Sequence, residues 1–142
     1  MMLPLARAAA ALALAIPPAL VPVVADAAPV VVTAAHLAGR TVLTNIDSGR
    51  AMAVQVGDDV EIRLSAYRQD GLTYTWEIPR SSASDVLHAT AGRTTPNGDA
   101  TAVLTAESEG TATVSAVRSC RPDPSVSCPL LIAPWKVTVE VR

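Results

Sequence analysis

Apolar and polar residues alternate one for one over most of the chain beyond residue 40, and this period limits what the chain can fold into. Val60, Ile62 and Leu64 alternate with Glu61, Arg63 and Ser65; Leu72, Tyr74, Trp76 and Ile78 alternate with Thr73, Thr75 and Glu77. Successive side chains of an extended strand point to opposite faces, so a period of two predicts strands with one face in a core and one in water. A helix would require a period of about 3.6 residues, which neither stretch shows. The alternation returns in Ala100, Ala102 and Leu104, where Val103 blurs the outer face, in Ala112, Val114 and Ala116, and in Trp135, Val137, Val139 and Val141. Turn signals separate the runs: Asp47-Ser48-Gly49-Arg50 between Thr41–Ile46 and Ala51–Val56, then Gly57-Asp58, Asp70-Gly71, Asn97-Gly98 and Glu109-Gly110. Seven to eight short strands with no long helical segment predict an all-β chain, an immunoglobulin-like β-sandwich rather than a closed barrel.

The start of the chain has another character. Arg7 is followed by the apolar run Ala8–Ile16, continued by Leu20–Val24, and then by the small-x-small pattern Ala25-Asp26-Ala27. A cation, an apolar middle and small residues at a cut site describe a secretory signal peptide, with cleavage expected after Ala27. Pro17, Pro18 and Pro22 break the apolar run short of the roughly 20 residues a spanning helix needs. No cysteine follows the cut to carry a lipid. The expected organisation is therefore a signal peptide over 1–27, a tether or edge strand over 28–40, and one sandwich domain over 41–142. The product is expected to be secreted, extracellular or associated with the cell envelope, with no membrane span after processing.

Composition matters at three points. Tyr67, Tyr74, Trp76 and Trp135 are the only aromatic residues, so the core must be made mainly of Val, Leu, Ile and Ala, with both tryptophans inside it. Lys136 is the single lysine among 11 cations, the rest being arginine; with the abundance of alanine this hints at a GC-rich bacterial genome. The net charge is −2 without a basic stripe, which argues against nucleic acid as a partner.

The two cysteines are Cys120 and Cys128. In an exported protein an even pair is expected to be oxidised. The spacing is not C-x-x-C, and His36 and His88 are the only histidines, which disfavours a metal pair. The cysteines stand too close in sequence to join two sheets, so they are expected to clip one loop, worth roughly 2.5 kcal/mol of stability. Within that loop Arg121-Pro122-Asp123-Pro124 has two fixed φ angles, presenting an arginine with little freedom left to lose on binding. The alternative is a long hairpin loop that the disulfide only protects from proteolysis. Arg121-Pro122 is a poor scissile bond for a trypsin-type enzyme.

Catalysis is not expected. His36 lies in the possible tether, His88 near the end of a short strand, and no serine stands in a G-x-S-x-G context. Asp58-Asp59 reads as a solvated turn rather than half of a calcium site, since no D-x-D-x-D-G array accompanies it. No cofactor and no metal are expected.

Val56-Gly57-Asp58-Asp59-Val60-Glu61-Ile62-Arg63-Leu64, followed by Gly71-Leu72-Thr73-Tyr74-Thr75-Trp76-Glu77, resembles the chagasin family of cysteine peptidase inhibitors. Gly110-Thr111-Ala112-Thr113-Val114 and Lys136-Val137-Thr138-Val139-Glu140 look like that family's later strands in the same order. The resemblance spans roughly residues 42–142. It implies an immunoglobulin-like sandwich with three loops at one end that block a papain-type cleft. The loops depart from the family pattern. Where the family has Asn-Pro-Thr-Thr-Gly, this chain has Tyr67-Arg68-Gln69-Asp70-Gly71, of which only Gly71 matches. The glycine-rich second loop corresponds to Thr95-Pro96-Asn97-Gly98. In the third, Arg121-Pro122 match and Asp123 replaces a tryptophan. The candidate binding residues are therefore Arg68, Gln69, Asp70, Gly71, Pro96, Asn97, Gly98, Arg121, Pro122, Asp123 and Pro124. Two functions follow as expectations. One is a monomeric secreted module that binds an extracellular or envelope protein through these loops; the alternative, implied by the resemblance, is an inhibitor of papain-type cysteine peptidases.

Overall fold

The computed structural model describes residues 13–16, 18–20, 22 and 37–142. The chain divides into two units, Met1–Ala34 and Ala35–Arg142. Most of the expected signal peptide, its cut site and residues 28–36 lie outside the described residues; Leu37–Gly39 are exposed chain, and among the described residues 37–40 only Arg40 is strand. Among the described residues no helix is long and apolar enough to cross a membrane.

The second unit is all-β, with strands β1 (Arg40–Thr44), β2 (Ala51–Val54), β3 (Asp59–Leu64), β4 (Tyr67–Gln69), β5 (Leu72–Trp76), β6 (Arg80–Ser81), β7 (Leu87–Thr94), β8 (Ala100–Ala106), β9 (Gly110–Ala116), β10 (Arg118–Pro122) and β11 (Trp135–Val141). One layer has the order β1-β3-β8-β7. The other contains β2-β11-β9-β6 and β10-β5-β4. These last two groups run into each other, because β9 continues into β10 across Val117, whose carbonyl accepts the Glu77 N–H at 2.9 Å. The result is the immunoglobulin-like sandwich that the alternation implies. The strand count exceeds seven to eight because β4 and β6 are very short and the first strand is split between layers.

That split separates the two runs that the Asp47–Arg50 turn joins. The runs on either side of Asp47–Arg50 do not pair as a hairpin. β1 lies parallel to β3 in one layer and β2 lies parallel to β11 in the other. The turn, tightened into one 3-10 turn at Asn45–Asp47, moves the chain from sheet to sheet. Strand ends are accordingly earlier than the apolar runs suggest: Ile46 is 89% exposed and Val56 is also outside the strand.

The core sits between the layers. Val60, Ile62, Leu104, Val114 and Val139 have no exposed surface; burial of each large apolar side chain stabilises by about 1.5–3 kcal/mol. Both tryptophans are buried, and each indole N–H is satisfied at the rim. Trp76 Nε1 donates to Ser65 O at 3.0 Å and Trp135 Nε1 to Thr44 O at 3.0 Å, as a buried indole requires. Ile78 departs from the expected parity. β5 stops at Trp76, Ile78 is partly exposed, and Pro79 takes the buried place instead. Proline cannot donate to a ladder and restricts the residue before it, so the chain bends there and the inward parity slips by one residue.

Among the described residues one charged side chain is buried, Asp47. Its Oδ2 accepts the Thr44 N–H at 2.7 Å and its Oδ1 the Arg50 guanidinium at 2.6 Å. The Thr44 N–H, and after it Arg50, hold this carboxyl below the ordinary aspartate value, outweighing the desolvation that would raise it. A depressed folded-state pKa contributes stability that is present above the unfolded-state value and lost as pH falls through the folded one. Asp47→Asn should therefore unfold at lower urea than the parent at neutral pH, and the two midpoints should converge as the pH is taken below the ordinary aspartate range. Urea titrations at several pH values check this, and a difference that stays constant with pH would contradict the ion's role.

Candidate functional site

At one end of the sandwich one layer is longer than the other. The β7–β8 turn that closes the shorter layer lies level with the end of β5: Gly98 O accepts the Trp76 N–H at 2.9 Å, and a side chain at Gly98 would overlap Thr75. Gly98 has φ +93°, so glycine is required there by conformation as well as by space. Asp99 Oδ1 accepts the Ala66 N–H at 2.7 Å, tying this turn to the segment before β4. From that level β5 runs on toward Leu72, flanked by β10 and β4, and projects roughly 13 Å beyond the shorter layer at the usual rise per residue.

The tip of this projection brings several candidate residues together. Asp70 and Gly71 form the β4–β5 turn, both with positive φ. The Asp123 N–H donates to Gly71 O at 2.9 Å, Arg68 Nη2 reaches Asp123 Oδ2 at 2.5 Å, and Val126 packs where a side chain on Gly71 would stand. Cys120 and Cys128 are bonded with their Cα atoms 6.1 Å apart, closing the chain that carries Asp123, Pro124 and Val126 against the tip. Four residues expected in loops are in strands. Arg68 and Gln69 belong to β4, and Arg121 and Pro122 to β10, opposite Thr73 and Leu72. Proline is tolerated at 122 because it ends its strand and β10 is paired only to β5 at that level. Pro96, Asn97 and Gly98 belong to the same end of the molecule but lie level with Thr75 and Trp76, not at the tip.

The same end holds a feature that periodicity did not reveal. An open cleft of about 400 Å³ is bordered by Ile46, Tyr67, Trp76, Arg118, Pro134 and Trp135. Arg118 stands opposite Trp76 in the ladder, with its guanidinium carbon 5.0 Å from the centre of the Tyr74 ring and 6.0 Å from that of Trp76. It also donates a hydrogen bond to the Tyr67 hydroxyl. Tyr67 stacks on Tyr74 with ring centres 4.9 Å apart. Ile46, on the border of the cleft, is almost completely exposed, as are Leu130 and Leu131 in the segment that leads to Pro134. The available sequence signal was the run Pro129-Leu130-Leu131-Ile132, which is apolar but does not alternate and so belongs to no half-buried strand.

The Asp58-Asp59 turn is structural. Asp58 accepts the Gly39 and Gln55 N–H groups, each at 2.9 Å, and Asp59 accepts the Thr105 hydroxyl at 2.7 Å. Among the described residues no three His, Cys, Asp or Glu side chains gather as metal ligands would.

No protein-family model and no curated protein matches this sequence. Similar solved structures include a cysteine protease inhibitor from Entamoeba histolytica, with 18% identity, 73% of this chain and 96% of that one covered, and a TM-score of 0.49. Amebosin, in solution, has 18% identity over 75% of this chain and all of its own, with a TM-score of 0.45. An inclusion body protein from Burkholderia cenocepacia has 11% identity over 66% of this chain and 59% of its own, with a TM-score of 0.44.

The disulfide closes a loop outside the main core, so replacing both Cys120 and Cys128 by Ser should leave the sandwich folded while lowering its stability by roughly 2.5 kcal/mol. Calorimetry of the paired variant checks the loss, and failure of the variant to fold at all would show that the sandwich itself depends on the bond.

Proposed function

We propose that this chain is an exported, non-catalytic binding module that engages an extracellular or envelope protein through the loop end of its sandwich. The observation that carries the reading is the concentration there of large apolar side chains in water. Ile46, Leu130 and Leu131 are 89%, 102% and 91% exposed, Ile46 on the border of the open cleft and the two leucines in the segment that follows the disulfide at Cys128. Exposed apolar residues grouped on a rigid platform favour recognition, because docking buries them at little cost in ordering. Arg121 and Pro124, exposed on the same projection, extend the surface with a cation and a fixed turn. Replacing Leu130 and Leu131 together by Asp should weaken capture of the partner from culture supernatant by at least about 30-fold, the scale of an interface hot spot. Recovery of the same partners at the same level by the variant would remove the loop end from recognition.

A second reading narrows the partner to a papain-type cysteine peptidase. It is favoured by the strand motifs around Val56–Leu64 and Gly71–Glu77, by Arg121-Pro122, and by the position of segments 67–71, 95–98 and 121–124 at one end. Titration against papain tests it: inhibition at micromolar protein, weakened by Arg121→Ala, is the expected result. No inhibition at that concentration would eliminate papain itself as a target and leave the broader binding reading standing.

A further inference from the structure

We propose that the cleft between Trp76, Trp135 and Ile46 is a ligand subsite for a carboxylate on an apolar body, with Arg118 as the group that recognises the charge. The proposal stands on the cleft's own geometry, independently of whether the exposed leucines dock a protein.

Arg118 is placed unusually for a cation. It continues the inward parity of Ala112, Val114 and Ala116, so its side chain lies on the face of the longer layer that turns toward the core. It is half-buried, its guanidinium lies over two aromatic rings, and among the described residues it meets no carboxylate. Among the described residues its side chain makes one hydrogen bond, to the Tyr67 hydroxyl, and its Nε–H is buried without a partner. Of the acidic groups on neighbouring segments, Glu77 is exposed on the strand face opposite Trp76, and three others are engaged elsewhere. Asp47 is bound by Thr44 and Arg50, Asp99 by Ala66 and Asn97, and Asp123 by Arg68. A guanidinium carries five N–H donors in a flat fork suited to a carboxylate. Here most of that capacity is unspent, and the aromatic surface around the half-buried group makes an ionic bond there stronger than one in open water.

The rest of the cleft selects what the carboxylate is attached to. Its other walls are mostly apolar, formed by the two indoles, the Tyr67 ring, Ile46, Ala133 and Pro134; Asn45 and Ser48 are the polar members, and the Asn45 amide is already bonded to the Ser65 backbone through both its atoms. Both indole N–H groups are already used, on Ser65 O and Thr44 O, so the rings offer the ligand only apolar surface. A volume of about 400 Å³ lies at the small end of ligand sites, room for one or two residues or a small organic acid. The shared chemistry is thus an apolar carboxylate, from either of two sources: the C-terminus of a peptide or a free acid.

The two tryptophans of the chain both border this cleft, so intrinsic fluorescence reports its occupancy. N-acetyl-leucine should change that fluorescence saturably, and N-acetyl-leucinamide, the same body without the charge, should bind at least about tenfold more weakly. Arg118→Gln should abolish the preference for the acid, whereas Arg63→Gln, on the outer face of β3, should leave it unchanged. Should the first variant fail to fold, the acid–amide contrast on the unaltered protein still decides. Ile46→Ala, at an exposed position, then serves as the second variant and should weaken the acid a few-fold. Acetyl-Ala-Ala-Leu with a free C-terminus distinguishes the sources: tighter binding than N-acetyl-leucine assigns the site to peptide ends, and equal or weaker binding assigns it to free acids. Equal binding of acid and amide, retention of the preference in a folded Arg118→Gln, or no response to the acid up to about 10 mM would each overturn the proposal.

Discussion

The loop end of this protein is governed by a mismatch in length between two sheets. A strand face that is apolar in every second position must meet another such face, and over most of the molecule it does so across the sandwich. At Trp76 the opposing layer ends, because the turn through Gly98 closes it there. The longer layer continues through β5, β10 and β4 with the same inward parity, so Tyr74 and Leu72 on β5, Cys120 on β10 and Tyr67 on β4 have no facing sheet. The chain covers this surplus face with its own parts. Tyr67 stacks on Tyr74, Arg118 lies over Tyr74 and Trp76, and the bond from Cys120 draws Cys128 back across it. What that covering leaves open is the cleft.

The sandwich was legible in the sequence because its cause is local. Val60, Ile62 and Leu64, or Trp135, Val137 and Val139, announce a half-buried strand without reference to anything distant, and all six are buried. The layer each strand joins is not a local property. The turn Asp47–Arg50 has the composition of a hairpin turn, yet Asp47 bonds back to Thr44 and Gly49 N–H reaches Lys136 O at 2.7 Å, a long-range contact that carries the chain across to β11. Ile78 looked inward by parity alone, and Pro79 shifted the count.

The candidate site was less legible, for a related reason. The family resemblance implies a loop at Tyr67–Gly71, and the close spacing of the cysteines implies one after Cys120; alternation fades in both stretches. Alternation fades there because the strands have left the sandwich, not because they have ended; Arg68, Gln69, Arg121 and Pro122 remain in ladders. Arg118 was invisible on the same grounds. A pattern reader scores arginine as an outward residue, whereas the ladder sets it opposite Trp76. Only the aromatic partners make that position tolerable, and those partners come from two other strands.

Rigidity at this end follows from where its residues stand. Groups that must meet a ligand are better held by strands than by free loops, since ladder hydrogen bonds fix the backbone that carries them. Tyr67, Trp76 and Arg118 are each on a paired strand, and Trp135 begins β11 with its indole anchored on Thr44 O. The exposed run Pro129–Leu131 lies between two fixed points, the disulfide at Cys128 and the buried ring of Trp135. A segment pinned at both ends has less entropy to lose on docking than a free one of equal length. The apolar side chains in water and the cleft beside them are thus held by the same two anchors, so a ligand in the cleft and a partner on Leu130 and Leu131 would meet surfaces joined through Pro134 and Trp135.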